Sequence, residues 1–419
     1  MKIFRSPQHL MLIPTFILPI LGALSLQYFY AKHKRTTISI SVAILIVWLS
    51  GWWYSGDLGM ASLAKQGRDH IDFYQLPPEL TRYYEQTQSD KLNYRSLFLP
   101  PAFSPSFLET KYQKNAQGAQ PEYAYLTKPT FVSEANPLAR LLEDSICDKD
   151  NFNYLNYLSL FSVRNIVVRT DIRSNFTRGI NCKGGENIEN ILDVNPNLVK
   201  FAIGEYLSAY QIKDAFFLPF VYIPNNIIAT NESVQKLGEL VSDADYQIGT
   251  AFFFTKQNSG FTTEDLGVAK NDKLVLEYTK IDPTKYRVQI RNVKEKFPLI
   301  LSQNFNSGWK LYMTNNKPLD NSISVRSSSG TVQNDDLPRG SLYETWSIKP
   351  LDEKNHFMVN GYANGWLIDP GTTCDNKINC DFEIIIELRS QKMFYIGLVV
   401  SVATSILLLI YWLITVIRK

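Results

Sequence analysis

The sequence predicts a membrane-anchored α+β protein: three transmembrane helices carry an extracytoplasmic α/β domain followed by an antiparallel β-sandwich of jelly-roll type. Three observations lead there. Leu10 to Ala31, Thr36 to Ser55 and Met393 to Ile417 contain no Asp, Glu, Lys or Arg, and each has the length of about 20 apolar residues that a spanning helix needs. Between the second and third windows, strand and helix patterns alternate as far as Gln257, and past it strand patterns recur alone. All four cysteines fall in that block and none in a window. The chain therefore divides into a transmembrane hairpin (10–55), the α/β domain (56–257), the sandwich (258–392) and a C-terminal transmembrane helix (393–417). The mean hydropathy of −0.14 averages two unlike populations and hides the spans.

The hairpin comes first. Pro14 and Pro19 lie in the first window, and membrane helices tolerate proline because neighbours re-satisfy the freed carbonyls. A cleaved signal peptide would be shorter and would not be followed at once by a second span. Lys32, His33, Lys34 and Arg35 form the short connecting loop. Trp52, Trp53 and Tyr54 mark where the second span leaves the bilayer. Lys and Arg flank both ends of the large block, through Lys65, Arg68, Arg389 and Lys392, so charge leaves two topologies open. The cysteines favour an outside block. Cys374 with Cys380, across a short polar loop, and Cys147 with Cys182 is the expected pairing among the three that four cysteines allow. Structural disulfides belong to oxidising compartments.

Within the block, Asp57 to Gln75 has helical character, and Asp57 suits a helix N-cap. Residues 94–100 read as a strand closed by Pro100 and Pro101, 136–146 as an amphipathic helix, 155–161 as helix and 164–170 as a β-branched strand. Segments 204–212 and 215–223 read as strands paired through a Lys213-Asp214 turn, 233–243 as a short helix, and the run to Phe254 as an aromatic strand. Eight strand patterns follow, at 273–281, 285–293, 297–305, 309–313, 341–348, 355–363, 365–369 and 381–389. Arg326 to Asn334, rich in serine, reads as an exposed loop.

Composition excludes several functions. With 43 Lys+Arg against 40 Asp+Glu the net charge is +3, too little for a nucleic-acid partner held by bulk charge. No phosphate-cradling loop, dinucleotide fingerprint, zinc-protease helix or nucleophile elbow occurs. Four histidines do not suggest a histidine-based site. Ser62–Lys65 and Ser233–Lys236 fit SxxK, without the SDN and KTG partners that acyl-serine enzymes need. Glu143, Asp144, Asp148 and Asp150 surround Cys147 but lack EF-hand spacing, and read as a solvated helix end. No catalytic residue and no metal ligand is assigned. Aromatic residues make up 13% of the chain, and Trp309, Tyr312, Trp346, Tyr362 and Trp366 gather in the sandwich. Flat rings stack on the apolar faces of sugars, and Asn306, Asn360 and Asn364 could bind their hydroxyls, so these residues are the candidate glycan-binding set. Core packing is the alternative for each tryptophan.

The order of segments carries a resemblance. A hairpin opening Ile3-Phe4-Arg5-Ser6-Pro7 is followed by RSLFLPPAFSP (95–105), YLSLFSVRNIVVRTDI (157–172), EYLSAYQI with FLPFVYI, QNFNSGWKLYM, NGYANGWLIDP, and a last span introduced by ELRSQKMFYIGL. This resembles the C-terminal part of bacterial polytopic proteins of the YfhO-like and arabinofuranosyltransferase-like kind, within the GT-C glycosyltransferases. The resemblance implies a bacterial cytoplasmic-membrane location, multi-pass, with the large domain outside. It also implies a polyprenyl-phosphate sugar donor for the whole enzyme. GT-C enzymes hold their catalytic acid on the first outside loop of a many-span bundle. The short loop here, Lys32 to Arg35, has no acid, so no catalytic residue carries over from the family; the chain alone is expected to be inactive, and no cofactor is expected in it. The expected function is an accessory region, glycan-binding, in envelope polysaccharide or glycolipid assembly. Its partners would be membrane lipids, a glycan or lipid-linked sugar, and a polytopic catalytic half encoded upstream or separately. The alternative is an anchored binding or scaffold protein without enzymatic activity.

Overall fold

The computed structural model describes residues 72–73, 78–100, 116–117, 129–131, 137–147, 153–172, 185–258, 274–314, 325–326, 331–372 and 380–417. The hairpin (10–55), Asp57, Ser62–Lys65, Asp148, Asp150, Cys182 and Cys374 lie outside them. The chain forms two compact units, Met1–Asp72 and Phe73–Lys419. Apart from Asp72, every described residue belongs to the second unit.

Its first layer is a five-stranded sheet. β1 (Arg95–Leu99) lies between β2 (Thr130–Phe131) and β3 (Val163–Arg169), parallel to both. β4 (Leu198–Ala202) and β5 (Leu207–Ile212) form an antiparallel hairpin whose second strand pairs with β3. Helices cover both faces, so all seven residues of β3 are buried instead of every second one, Arg164, Asn165 and Arg169 included. On one side lie α2 (Pro137–Ile146), α3 (Tyr154–Leu160) and α4 (Gly185–Asp193), through Leu142, Leu158 and Ile188. On the other, α1 (Pro78–Gln88) inserts Leu80 and Tyr83 against Phe98 and Val167. Pro78 in the first turn costs α1 no hydrogen bond, because its missing N–H would have had no helical partner.

The second layer is a sandwich. β6 (Val221–Tyr222) pairs with β11 (Phe297–Asn304), which joins β16 (Ala363–Ile368) and then β15 (His356–Val359). The facing sheet runs β12 (Trp309–Thr314), β17 (Cys380–Leu388), β10 (Lys285–Val293), β9 (Val275–Asp282), β14 (Thr331–Gln333) and β13 (Val325–Arg326). Between the sheets sit Tyr278, Val288, Leu299, Trp366 and Ile384. The opposite face of the four-stranded sheet presents Ile300, Phe357, Val359 and Ala363 to the α/β core. That sheet is thus shared by two cores. A parallel pair, β7 (Asn226–Thr230) with β8 (Thr250–Phe254), and α5 (Leu237–Ser242) complete the α/β side. The division at 257/258 stays a proposal. After β17 the chain continues into α6 (Arg389–Ile417).

Four expectations are corrected. Segments 204–212 and 215–223 do not pair: β5 folds back on β4, and Asp214–Phe216 is a 3-10 turn that sends β6 to the sandwich. Residues 341–348 form turns instead of a strand. Residues 331–334 are buried, with β14 pairing parallel to β9, instead of an exposed loop. Segment 355–363 breaks at Asn360 and Gly361, whose φ of 55° and 70° turn the chain from β15 into β16.

Candidate functional site

The six-stranded sheet has one apolar and one charged face, because residues along a strand alternate. On β10, Tyr286, Val288 and Ile290 enter the core, which sends Lys285, Arg287 and Gln289 the other way. On β17, Phe382, Ile384 and Ile386 enter it, leaving Glu383 and Glu387 opposite. Register sets complementary groups side by side: Lys285 faces Glu387, and Gln289 faces both Glu383 and Glu277. All of these charged and amide side chains are buried; Arg287 and Glu383 are each 2% exposed.

The segment 341–348 covers part of this face and is tied to it by ions. The Lys285 Nζ lies 2.6 Å from a Glu344 carboxylate oxygen and donates to the Ser341 carbonyl at 3.2 Å. The Arg287 guanidinium bridges Glu344 and Glu383. Thr314 Oγ1 donates to Glu383 at 3.0 Å, and the Thr345 hydroxyl donates to Glu387. Lys392, in the first turn of α6, donates to the Thr345 carbonyl and to the Tyr312 hydroxyl, both at 3.0 Å, and lies 3.6 Å from Glu387. Cations and carboxylates balance, the condition under which burial of charge is tolerated. Two polar atoms on the face, Gln289 Oε1 and Arg287 Nε, have no partner among the described residues. The arrangement clamps a loop. Each of Glu344, Glu383 and Glu387 is engaged by a cation and so is not a free general base.

The candidate glycan residues divide between core and surface. Trp366 is 2% exposed and Trp309, Tyr312 and Tyr362 are also buried. One face of Trp366 is taken by His356, stacked at 4.6 Å with an interplanar angle of 5°. Trp309 packs against Tyr286. The amides of Asn364 and Asn360 are spent inside the protein. Asn364 Nδ2 donates to the Gln303 carbonyl at 2.8 Å, and its Oδ1 accepts from the Asn306 backbone N–H at 3.1 Å. Asn360 Oδ1 accepts from the Phe252 N–H at 2.8 Å while its Nδ2 donates to Tyr222. The fold therefore brings Asn306, Asn364, Trp309 and Trp366 together around the 304–309 turn as a supporting cluster. Asn306 and Trp346 reach solvent.

His356, in the same cluster, is held below the ordinary histidine value by burial, which outweighs its contacts with Asn364 and Glu353. Between the two layers, Arg95 donates to the Phe161 carbonyl and to Ser302 Oγ at 3.1 Å, and lies over the Phe220 ring at 4.6 Å. Burial lowers its pKa, and burial raises that of Tyr362, which bonds the same Ser302 hydroxyl at 2.7 Å. Of the cysteines, neither Cys147 nor Cys380 is a free thiol. Their expected partners lie outside the described residues, so the pairing stays a proposal. Asp144 is described on α2, and Lys236 pairs with Glu239 at 2.7 Å.

Lys285, Arg287, Gln289, Glu383 and Glu387 are not among the residues that the sequence motifs single out. A signal was available: KYRVQIR alternates charged or amide side chains with apolar ones, and DFEIIIEL carries Asp381, Glu383 and Glu387 on the same period, interrupted at Ile385, with opposite sign.

No protein-family profile matches the chain, and no curated protein matches it. Solved structures of arabinofuranosyltransferase AftD from Mycobacteria align over 80% of this chain at 9% identity and a TM-score of 0.33, and over 77% at 10% identity and the same score. A third, of the R1389S mutant in its second class, aligns over 83% at 11% identity and a TM-score of 0.32. The aligned part is 32% to 35% of those chains, so this chain spans about a third of their length. Scores this low do not establish a common fold. Among the described residues no helix is long and apolar enough to cross a membrane.

Proposed function

We propose that this chain is the membrane-anchored, extracytoplasmic accessory region of a GT-C-type glycosyltransferase acting in envelope polysaccharide or glycolipid assembly. The observation that carries the anchoring is α6. Met393, Leu398, Val402, Leu407 and Ile414 are all exposed, and a Cβ added at Gly397 would meet no atom within 4 Å. A helix with exposed apolar side chains on all sides and, among the described residues, no protein against them needs an apolar surrounding. Its 29 residues would extend about 44 Å at 1.5 Å each, more than the ~30 Å hydrocarbon core. No helix meets the length and hydropathy of a span on the described residues alone, so the support for α6 as a span is its exposed apolar surface.

The glycosyltransferase part rests on the segment order in the sequence, YfhO-like or arabinofuranosyltransferase-like. Sugar transfer from a polyprenyl-phosphate donor would belong to the polytopic catalytic half. The present chain would support that half and reach glycan through solvent-facing groups such as Trp346 and Asn306.

Affinity purification of the tagged full chain from native membranes, with protease shaving of intact cells, tests this. Cleavage of the block from outside, together with recovery of a polytopic transferase, is the expected result. Cleavage only in inverted vesicles overturns the topology. Outside cleavage with no transferase partner favours the scaffold alternative.

A further inference from the structure

The 341–348 segment exposes a cluster of large apolar side chains where the sandwich meets α6. Tyr343 is 59% exposed, Trp346 42% and Leu342 43%, and the two aromatic rings touch edge to face at 5.1 Å. Inward-pointing side chains of the same turns, Glu344 and Thr345, are fixed on the charged sheet face. Those anchors hold the outward ones in place.

The location follows from backbone bonds. The Arg389 N–H donates to the Gly308 carbonyl at 2.8 Å and the Leu388 N–H to the Thr284 carbonyl at 2.9 Å, so the 282–285 and 305–308 turns ring the start of α6. Lys285, next to the first turn, holds Ser341 and Glu344. Lys392, in the first turn of α6, holds the Thr345 carbonyl. The apolar cluster is therefore fastened at the residue just before Met393, where the exposed apolar surface of α6 begins.

We propose that the 341–348 segment is a lipid-interface anchor, with Leu342, Tyr343 and Trp346 seated at the headgroup level of the bilayer that α6 crosses. Tyr and Trp suit that depth because each has an apolar body and a polar tip. Arg389, exposed at the same level, complements lipid phosphates. The cluster is tied through the Thr345 carbonyl to Lys392, the residue before the exposed apolar surface of α6, which points to lipid as its occupant. The inference rests on the reading of α6 as a span, and the consequence is orientational. A second contact beside α6 restricts rotation of the sandwich about that helix.

Spin labels on the full chain in nanodiscs of phosphatidylethanolamine and phosphatidylglycerol test this. Single-cysteine labels go at Tyr343→Cys, at Leu342→Cys as a second position in case the first does not fold, at Leu398→Cys within α6, and at Val194→Cys, exposed on the α/β layer. Collision rates with oxygen and with a water-soluble nickel chelate are compared. The expected oxygen-to-nickel ratio at 343 and 342 is several-fold above that at 194 and below that at 398. A ratio at both loop positions equal to that at 194, with a deep 398, overturns this inference and leaves the span reading standing. Shielding of 343 from both reagents shows a protein covering the loop and also overturns it. An aqueous 398 overturns the span reading and the anchor together.

Discussion

Replacing Glu383 with leucine isolates the energetic role of the ion network beneath the 341–348 segment. Its carboxylate accepts from Arg287 and Thr314 and sits 3.5 Å from the Gln289 amide. With Glu383 gone, Arg287 keeps Glu344, which Lys285 also claims at 2.6 Å. Breaking a buried pair costs about 3–5 kcal/mol, and the surviving Glu344 contact puts this change at the low end, about 3 kcal/mol. Arg287→Met alone should cost about the same, since it strands Glu383 on a 2% exposed site. The double variant removes both charges and leaves the Lys285–Glu344 pair intact, so it should cost no more than either single change. The implied coupling is about 3 kcal/mol. Thermal unfolding of the full chain in detergent, followed by tryptophan fluorescence, should show each single variant about 6 °C lower at roughly 2 °C per kcal/mol. Single changes that leave the midpoint unmoved, or a double equal to the sum of its parts, would refute the buried network.

Trp366→Ala should destabilise the sandwich by about 3–5 kcal/mol, because the ring fills the space between the sheets and carries His356; a melt within about 1 kcal/mol of wild type would return Trp366 to the glycan-binding set. Burial holds His356 below the unfolded value of about 6.5. Its contribution is therefore complete above about pH 6.5 and lost as pH falls toward the depressed folded value. His356→Gln should flatten the urea midpoint between neutral and mildly acid pH by up to about 1.4 kcal/mol per pH unit, and an unchanged slope would show a solvated ring. Gly361 has φ +70° and its added Cβ would lie 2.4 Å from Val234 Cγ1; Gly361→Ala should cost about 1–3 kcal/mol, with Val234→Ala restoring part of the melting loss. If Cys374 pairs with Cys380, tryptic cleavage at Lys377 should leave the two peptides joined until reduction; alkylation of either before reduction would reject that pair.

Much of the layer architecture was legible. The apolar spacing of 137–146 and 154–160 and the β-branched run of 163–169 show their elements locally, since each needs only its own period. The strands 285–293 and 297–304 stood out for the same reason. Partners were not legible. YLSAYQI could pair upstream or downstream with equal local merit, and the choice of β4 follows from where β6 is needed. Thr331–Gln333, at the end of a serine-rich stretch, read as loop by composition and form buried strand because β9 has an open edge. The candidate residues fared alike: a tryptophan looks the same in sequence whether a sugar or His356 covers its face.

By itself the sequence determined the apolar windows, the order of helix and strand patterns, and the alternation that puts charge on one side of β10 and β17. These depend on neighbours along the chain. Only the tertiary structure decided that the four-stranded sheet serves two cores, that Lys285, Arg287, Glu344 and Glu383 form one network, and that Tyr343 and Trp346 emerge beside the start of α6. Those facts depend on groups far apart in sequence meeting at ångström distances, where burial turns a charge from a solvated surface feature into an obligatory partner.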